Sequence, residues 1–258
     1  YPYTTDTINA DTVFPSAIDY VYGADADTGW TRLLKEVRYK TFDKNGNEIT
    51  AERKTKTIDY DEIGNPIKYL DYEMKWFGRQ LKEIKAGRDT TDIADDDKTI
   101  TFTYGADGLR GTKTVTDSSG TVKSEYVYAN GRLAYEKRGN SELYFFYDGL
   151  GHLAAIRYYE DAASDTYTQC YVATNMAGDV LNLIDGNGNI IAKYAYDAWG
   201  NVISVKDGDS NDITDETNIA LINPIRYRGY YLDRETGFYY LQSRYYDPSI
   251  GRFINADD

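Results

Sequence analysis

Short runs of alternating apolar and polar residues, each closed by a glycine-bearing turn, recur along most of this 258-residue chain. Leu143-Tyr144-Phe145-Phe146-Tyr147 and Ile190-Ile191-Ala192-Lys193-Tyr194-Ala195-Tyr196 send successive side chains to opposite sides, as in a strand. No segment sustains the 3.6-residue period of an amphipathic helix. The turns share a grammar: an aromatic, Asp, one or two variable residues, Gly, a polar residue, then an aliphatic. It is read in Phe42 to Ile49, Tyr60 to Ile67, Tyr147 to Leu153 and Tyr196 to Val202. Degenerate copies follow Trp76, Tyr104 and Tyr128, and Asp185-Gly186-Asn187-Gly188-Asn189 lacks the leading aromatic.

Each part of the grammar has a physical role. The aromatic ends a strand, Asp caps the turn through its side chain, Gly supplies positive φ, and the aliphatic re-enters on the packed face. Asp43 and Asp61 are 18 residues apart, as are Asn130 and Asp148. That spacing holds two strands and two turns, so the unit is a β-hairpin. One hairpin cannot bury its own face. Consecutive hairpins are therefore expected to pair side by side in a continuous all-β sheet.

Three regions break the rhythm. Residues 1–29 carry no repeat and read as a lead-in strand or a mobile end. Gly87 to Lys98 is an acidic loop. Residues 207–222 are a polar insertion after the hairpin region 30–206, and Thr217 to Asn223 suits one helical turn stopping before Pro224.

The closing segment, 223–258, carries seven tyrosines (227, 230, 231, 239, 240, 245, 246) and five arginines (226, 228, 234, 244, 252). Adjacent residues of a strand face opposite ways, so each Tyr-Tyr pair puts a ring on both sides and asks for contact on both.

Composition narrows the function. Tyrosine, 27 residues against 8 Phe and 3 Trp, suits a pleated and half-wet surface, and 22 glycines against 5 prolines suit many tight turns. A formal charge of −13 repels phosphate backbones and anionic membrane surfaces, which argues against nucleic acid as a partner. No run of 18 apolar residues, the length that spans a bilayer as a helix, occurs in the sequence. No signal peptide opens the chain, and Tyr1-Pro2-Tyr3 reads like a cut inside a longer protein. Cys170 and His152 are the single cysteine and histidine, read as a buried thiol and a turn histidine. Asp185, Asn187 and Asn189 match the first ligand positions of a calcium loop, as do Asp207, Asp209 and Asn211. Both loops lack the glycine and the closing glutamate, so no metal or cofactor is expected.

The segment from Asn223 closely resembles the core segment that ends the tyrosine-aspartate (YD) repeat shell of bacterial RHS and wall-associated proteins. The turn grammar resembles the YD repeats themselves, and together they cover most of Trp30 to Asp258. The resemblance, which extends to teneurin-like shells, implies a strip of antiparallel hairpins that spirals into a hollow shell, with the core segment curling inward as a plug. It implies structural encapsulation without catalysis, in a secreted or wall-attached bacterial protein carrying a variable, often toxic, domain after Asp258. The partners would be the rest of the shell and that domain. An alternative is a surface adhesion or glycan-binding module, although rings spread over the whole chain fit cross-strand ladders better than a sugar platform. The core arginines 226, 228, 244 and 252 are expected to stack on rings and bond carboxylates within the plug.

A third possibility is self-processing, because some relatives cut their own chain after the core with two aspartates. The matching positions are Asp247 and Asp257. Carboxylates a few ångströms apart share a proton and split into acid and base. The self-cleaving pattern has proline after the second aspartate, where this chain has Asp258. The competing reading is that Asp247 caps a type I turn with Pro248 at its second position.

Overall fold

The computed structural model describes residues 14–23, 33–43, 47–50, 54–86 and 98–255, and the chain divides into two compact units after Thr99. Most of the expected lead-in segment, nearly all of the acidic loop and Asp257 lie outside the described residues.

In the first unit six strands follow in chain order, each antiparallel to the next: β1 (Phe14–Tyr22), β2 (Leu34–Phe42), β3 (Lys54–Tyr60), β4 (Pro66–Tyr69), β5 (Tyr72–Phe77) and β6 (Gln80–Ala86). β1 falls inside the lead-in segment. Val37, Ile58, Met74, Leu81 and Ile84 make the packed face, each at most 3 % exposed.

In the second unit the strands also follow in chain order: β7 (Thr99–Tyr104), β8 (Arg110–Asp117), β9 (Gly120–Ala129), β10 (Arg132–Arg138), β11 (Ser141–Tyr147) and β12 (Leu153–Tyr159). β13 (Thr168–Thr174), β14 (Val180–Ile184), β15 (Ile190–Tyr196) and β16 (Val202–Lys206) complete the strip. Helix α1 (Ile219–Ile222) is the single expected turn, capped by the Asn218 side chain on the Ala220 amide and ending before Pro224. The chain then builds a separate four-stranded antiparallel sheet from β17 (Tyr231–Asp233), β18 (Phe238–Tyr240), β19 (Tyr245–Asp247) and β20 (Arg252–Phe253). The antiparallel hairpin fold expected from the alternation is the fold that forms.

The repeat turns work through one carboxylate. Asp148 Oδ1 accepts the amides of Leu150 and His152, both at 2.9 Å. Asp197 accepts Trp199 and Asn201 the same way, and its Oδ2 also takes the Asn201 side chain at 2.7 Å. Gly64, Gly151 and Gly200 hold φ of 85°, 87° and 95°, values a side chain would strain. Register shifts fall immediately before Tyr60, Tyr147 and Tyr196, so each copy carries a bulge that twists its strand. The three tyrosines then donate their hydroxyls back to the preceding strand, to the carbonyls of Leu34, Leu133 and Val180 at 2.9 Å. Tyr and Asp thus fix the two sides of one turn: the ring staples the strand and the carboxylate closes the loop.

Candidate functional site at the core segment

The feature of the second unit that goes beyond a sheet is the way the core segment is held on the packed face of the strip. Arg110 opens β8 and Lys113 follows three residues later, both on the packed side and at most 3 % exposed. Arg110 Nη1 donates to Asp233 Oδ2 at 2.7 Å, and Lys113 Nζ donates to Asp233 Oδ1 at 2.9 Å and to Glu235. Burial pushes the Asp233 carboxyl up, but the Arg110 and Lys113 charges outweigh it and hold the group below the usual carboxylate range. Both cations are in turn held charged by Asp233 against the burial that opposes them.

Aromatic rings surround this ion cluster. The Arg110 guanidinium lies 5.5, 4.8, 4.7 and 4.3 Å from the ring centroids of Phe102, Tyr126, Tyr231 and Tyr240. Its Nε and Nη2 have no hydrogen-bond acceptor among the described residues. A guanidinium is weakly hydrated and is stabilised on ring faces, which accounts for a buried cation with donors left over. Tyr126 and Tyr231 meet edge to face at 5.6 Å, and the Tyr231 hydroxyl donates to the buried Glu136 at 3.0 Å. Glu136 in turn pairs with Arg138 at 2.9 Å.

A second seam joins the core segment to the repeat turn of Asp197. The hydroxyls of Tyr227, Tyr239 and Tyr246 donate to the carbonyls of Ala198, Gly200 and Trp199. The Asn201 side chain donates to the Pro248 carbonyl at 2.9 Å. The Tyr227 ring lies so close to Gly200 that a Cβ there would sit 2.5 Å from it. Glycine is required at that turn for contact as well as for φ.

Of the residues singled out from sequence, Asp247 is 2 % exposed in β19, and its Oδ1 accepts the Ser249 amide at 2.8 Å. That is the turn-capping geometry. Asp185 and Asp207 spend their carboxylates on turn amides and on the Asn189 and Asn211 side chains, like the other repeat turns. Cys170 is buried in β13, and burial pushes its thiol up to about 12. His152 Nδ1 lies 3.7 Å from Asp148 Oδ2 in its turn. Arg226, Arg228 and Arg244 lie against the rings of Tyr194, Tyr227 and Phe253 at 4.3, 5.2 and 3.9 Å. Arg226 differs from the expectation in its polar partners, since it donates to the carbonyls of Ala220 and Leu221 where a carboxylate was expected. Arg110, Lys113, Glu136 and Asp233 were not singled out. The available signal was a charge on a strand's packed side, but the partners are 120 or more residues apart for Lys113 and Arg110 with Asp233.

A strip of antiparallel YD hairpins with a tyrosine-rich segment bound to its packed face defines a shell-type repeat protein. The chain belongs to the teneurin YD-shell family, which it matches over residues 7–258. It is 30 % identical over 248 residues to the tRNA3(Ser)-specific nuclease WapA of Bacillus spizizenii, covering 94 % of this chain and 10 % of that protein. Teneurin-m of Drosophila melanogaster is 26 % identical over 144 residues, covering 54 % of this chain and 5 % of that protein. The crystal structure of TcdB2-TccC3 shares the fold with a TM-score of 0.60 at 17 % identity, over 93 % of this chain and 12 % of that one. The chain thus spans about a tenth of the length of such relatives.

Proposed function

We propose that this chain is a section of an extracellular shell in a longer bacterial protein, and that the shell sequesters a variable, toxic domain of the same polypeptide until delivery. The observation that carries this reading is the buried Arg110–Asp233–Lys113 cluster, which fixes the core segment to the packed face of the hairpin strip. A segment held by fully desolvated charges and by tyrosine hydroxyls on repeat-turn carbonyls is built to stay in place, as a plug must. The relatives support a toxin setting. One is a nuclease, and the double-stranded DNA deaminase toxin A of Burkholderia cenocepacia is 36 % identical over 84 residues, covering 33 % of this chain and 5 % of that protein. In this reading the chain contributes walls and performs no chemistry, and the parent is secreted or attached to the cell wall.

Limited proteolysis of the full-length parent tests it. The domain that follows the core segment should resist protease at concentrations that digest the same domain in isolation. An Asp233→Ala substitution in the parent should expose it. Equal digestion of the enclosed and isolated domains overturns the encapsulation reading.

A further inference from the structure

In the second unit a cleft of about 450 Å³ opens between three turns of the strip and the core segment. One wall carries Arg132 and His152, the other Arg228 and Arg244, and among the described residues no aspartate or glutamate lines it. In a chain of net charge −13 this is a local reversal of sign. Two carboxylates stand just behind the walls, and each is held by the backbone of its own neighbourhood. Asp148 closes its own turn beside His152, and Asp179 Oδ1 accepts the backbone amide of Arg228 at 2.7 Å.

The arginines are also positioned. Arg132 lies 5.9 Å from the Tyr147 ring, and its guanidinium occupies the space a Cβ on Gly151 would take, with Nη2 only 2.0 Å from that point. Arg228 rests 5.2 Å from the Tyr227 ring and is itself exposed. Beneath them the floor is buried and largely apolar, with Leu133, Leu153, Ile225, Tyr231 and Tyr240. Cationic groups at the rim above an aromatic and aliphatic floor form a site with a defined chemical preference. The volume is that of a small-molecule pocket.

We infer that this cleft binds a small organic anion, its phosphate, sulfate or carboxylate held by Arg132 and Arg228 and its apolar body on the tyrosine-lined floor. The inference does not depend on the encapsulation reading. A guanidinium offers paired donors that match an oxyanion, and such charge-assisted bonds exceed neutral ones in strength.

Phenyl phosphate, inorganic phosphate and potassium chloride at matched ionic strength are the probes, titrated by calorimetry into the unaltered protein. Phenyl phosphate should bind saturably, inorganic phosphate more weakly, and chloride not at all. Arg132→Gln and Arg228→Gln should each weaken phenyl phosphate about tenfold, the loss of one charge-assisted bond. Because His152 is the single histidine, its imidazole resonance reports the site directly and needs no variant. It should shift saturably with phenyl phosphate. A response equal to that of chloride, an unmoved His152 resonance, or full affinity in a folded Arg132→Gln/Arg228→Gln double variant overturns the inference.

Discussion

Arg110 and Asp233, 123 residues apart in the chain, meet in a hydrogen bond of 2.7 Å with side chains 0 % and 3 % exposed. The pair joins the second strand of the second unit to the last residue of the first core strand. Removing one partner of a buried pair leaves the other charge without compensation, and here two cations depend on one carboxylate. Asp233→Ala should therefore cost about 3–5 kcal/mol in urea denaturation. Glu235, a quarter exposed and bonded among the described cations to Lys113, should cost less than about 1 kcal/mol as Glu235→Ala. Similar costs for the two substitutions would show that the buried ion cluster does not hold the core segment.

The same cluster sets a pH dependence. The folded pKa of Asp233 lies below its ordinary value, so its stabilisation is complete above about pH 4 and is lost as pH falls through the folded value. At the alkaline end the signs reverse. Burial raises Tyr60, Tyr147 and Tyr240 to about 12, so their contribution is complete below about pH 10 and is lost as pH rises towards 12. Melting temperatures should form a plateau between these limits. Asp233→Asn should flatten the acid limb and leave the part of the alkaline limb set by Tyr60 and Tyr147 unchanged, because Asp233 raises only Tyr240 of the three. An acid limb identical in Asp233→Asn would assign it to other carboxylates.

Much of this architecture is legible in the sequence because its information is local. The turn of Asp148 needs only a carboxylate, a glycine at position 151 and the amides between them, all within five residues. The cap of α1 by Asn218 and its stop before Pro224 are equally local. The ion cluster is not. Asp233 precedes a Thr-Gly turn and looks like one more turn aspartate, yet Thr236 takes over the local bond to the Phe238 amide and the Asp233 carboxylate goes to Arg110 and Lys113. Which strand faces which residue of the core segment is set by docking, and no spacing along the chain encodes it. The rings show the same division. Tyr135, Tyr144, Tyr159 and Tyr167 form the expected cross-strand ladder at 5.0, 5.8 and 5.4 Å, whereas Tyr104 finds the Tyr245 hydroxyl, 141 residues away, at 3.1 Å.

The turn glycines separate strain from contact. A Cβ on Gly64 meets nothing within 4 Å, so Gly64→Ala should cost only its backbone strain, about 1–2 kcal/mol. Gly151→Ala should cost little more, because the atoms in its way end the flexible Arg132 side chain. Gly200→Ala drives a methyl into the Tyr227 ring and should add about 1–3 kcal/mol to the strain. Thermal or urea melts of the three variants give the order directly, and equal losses would mean that the Tyr227 contact contributes nothing.

Asp247 decides between a container and a self-cutting chain. Its Oδ1 accepts the Ser249 amide, the Gly251 amide closes on the Pro248 carbonyl, and Arg252 stands opposite it in the strand register. An asparagine oxygen can accept the same amide, so Asp247→Asn should keep the turn and cost about 1 kcal/mol or less, whereas Asp247→Ala loses the cap. If the role of Asp247 is the turn cap, a protein extended by its natural continuation should stay intact on expression. Size analysis of the purified protein checks this. A cut chain whose cleavage disappears in a folded Asp247→Asn or Asp257→Asn variant would make the aspartate pair catalytic, because the near-isosteric change removes the proton chemistry and little else.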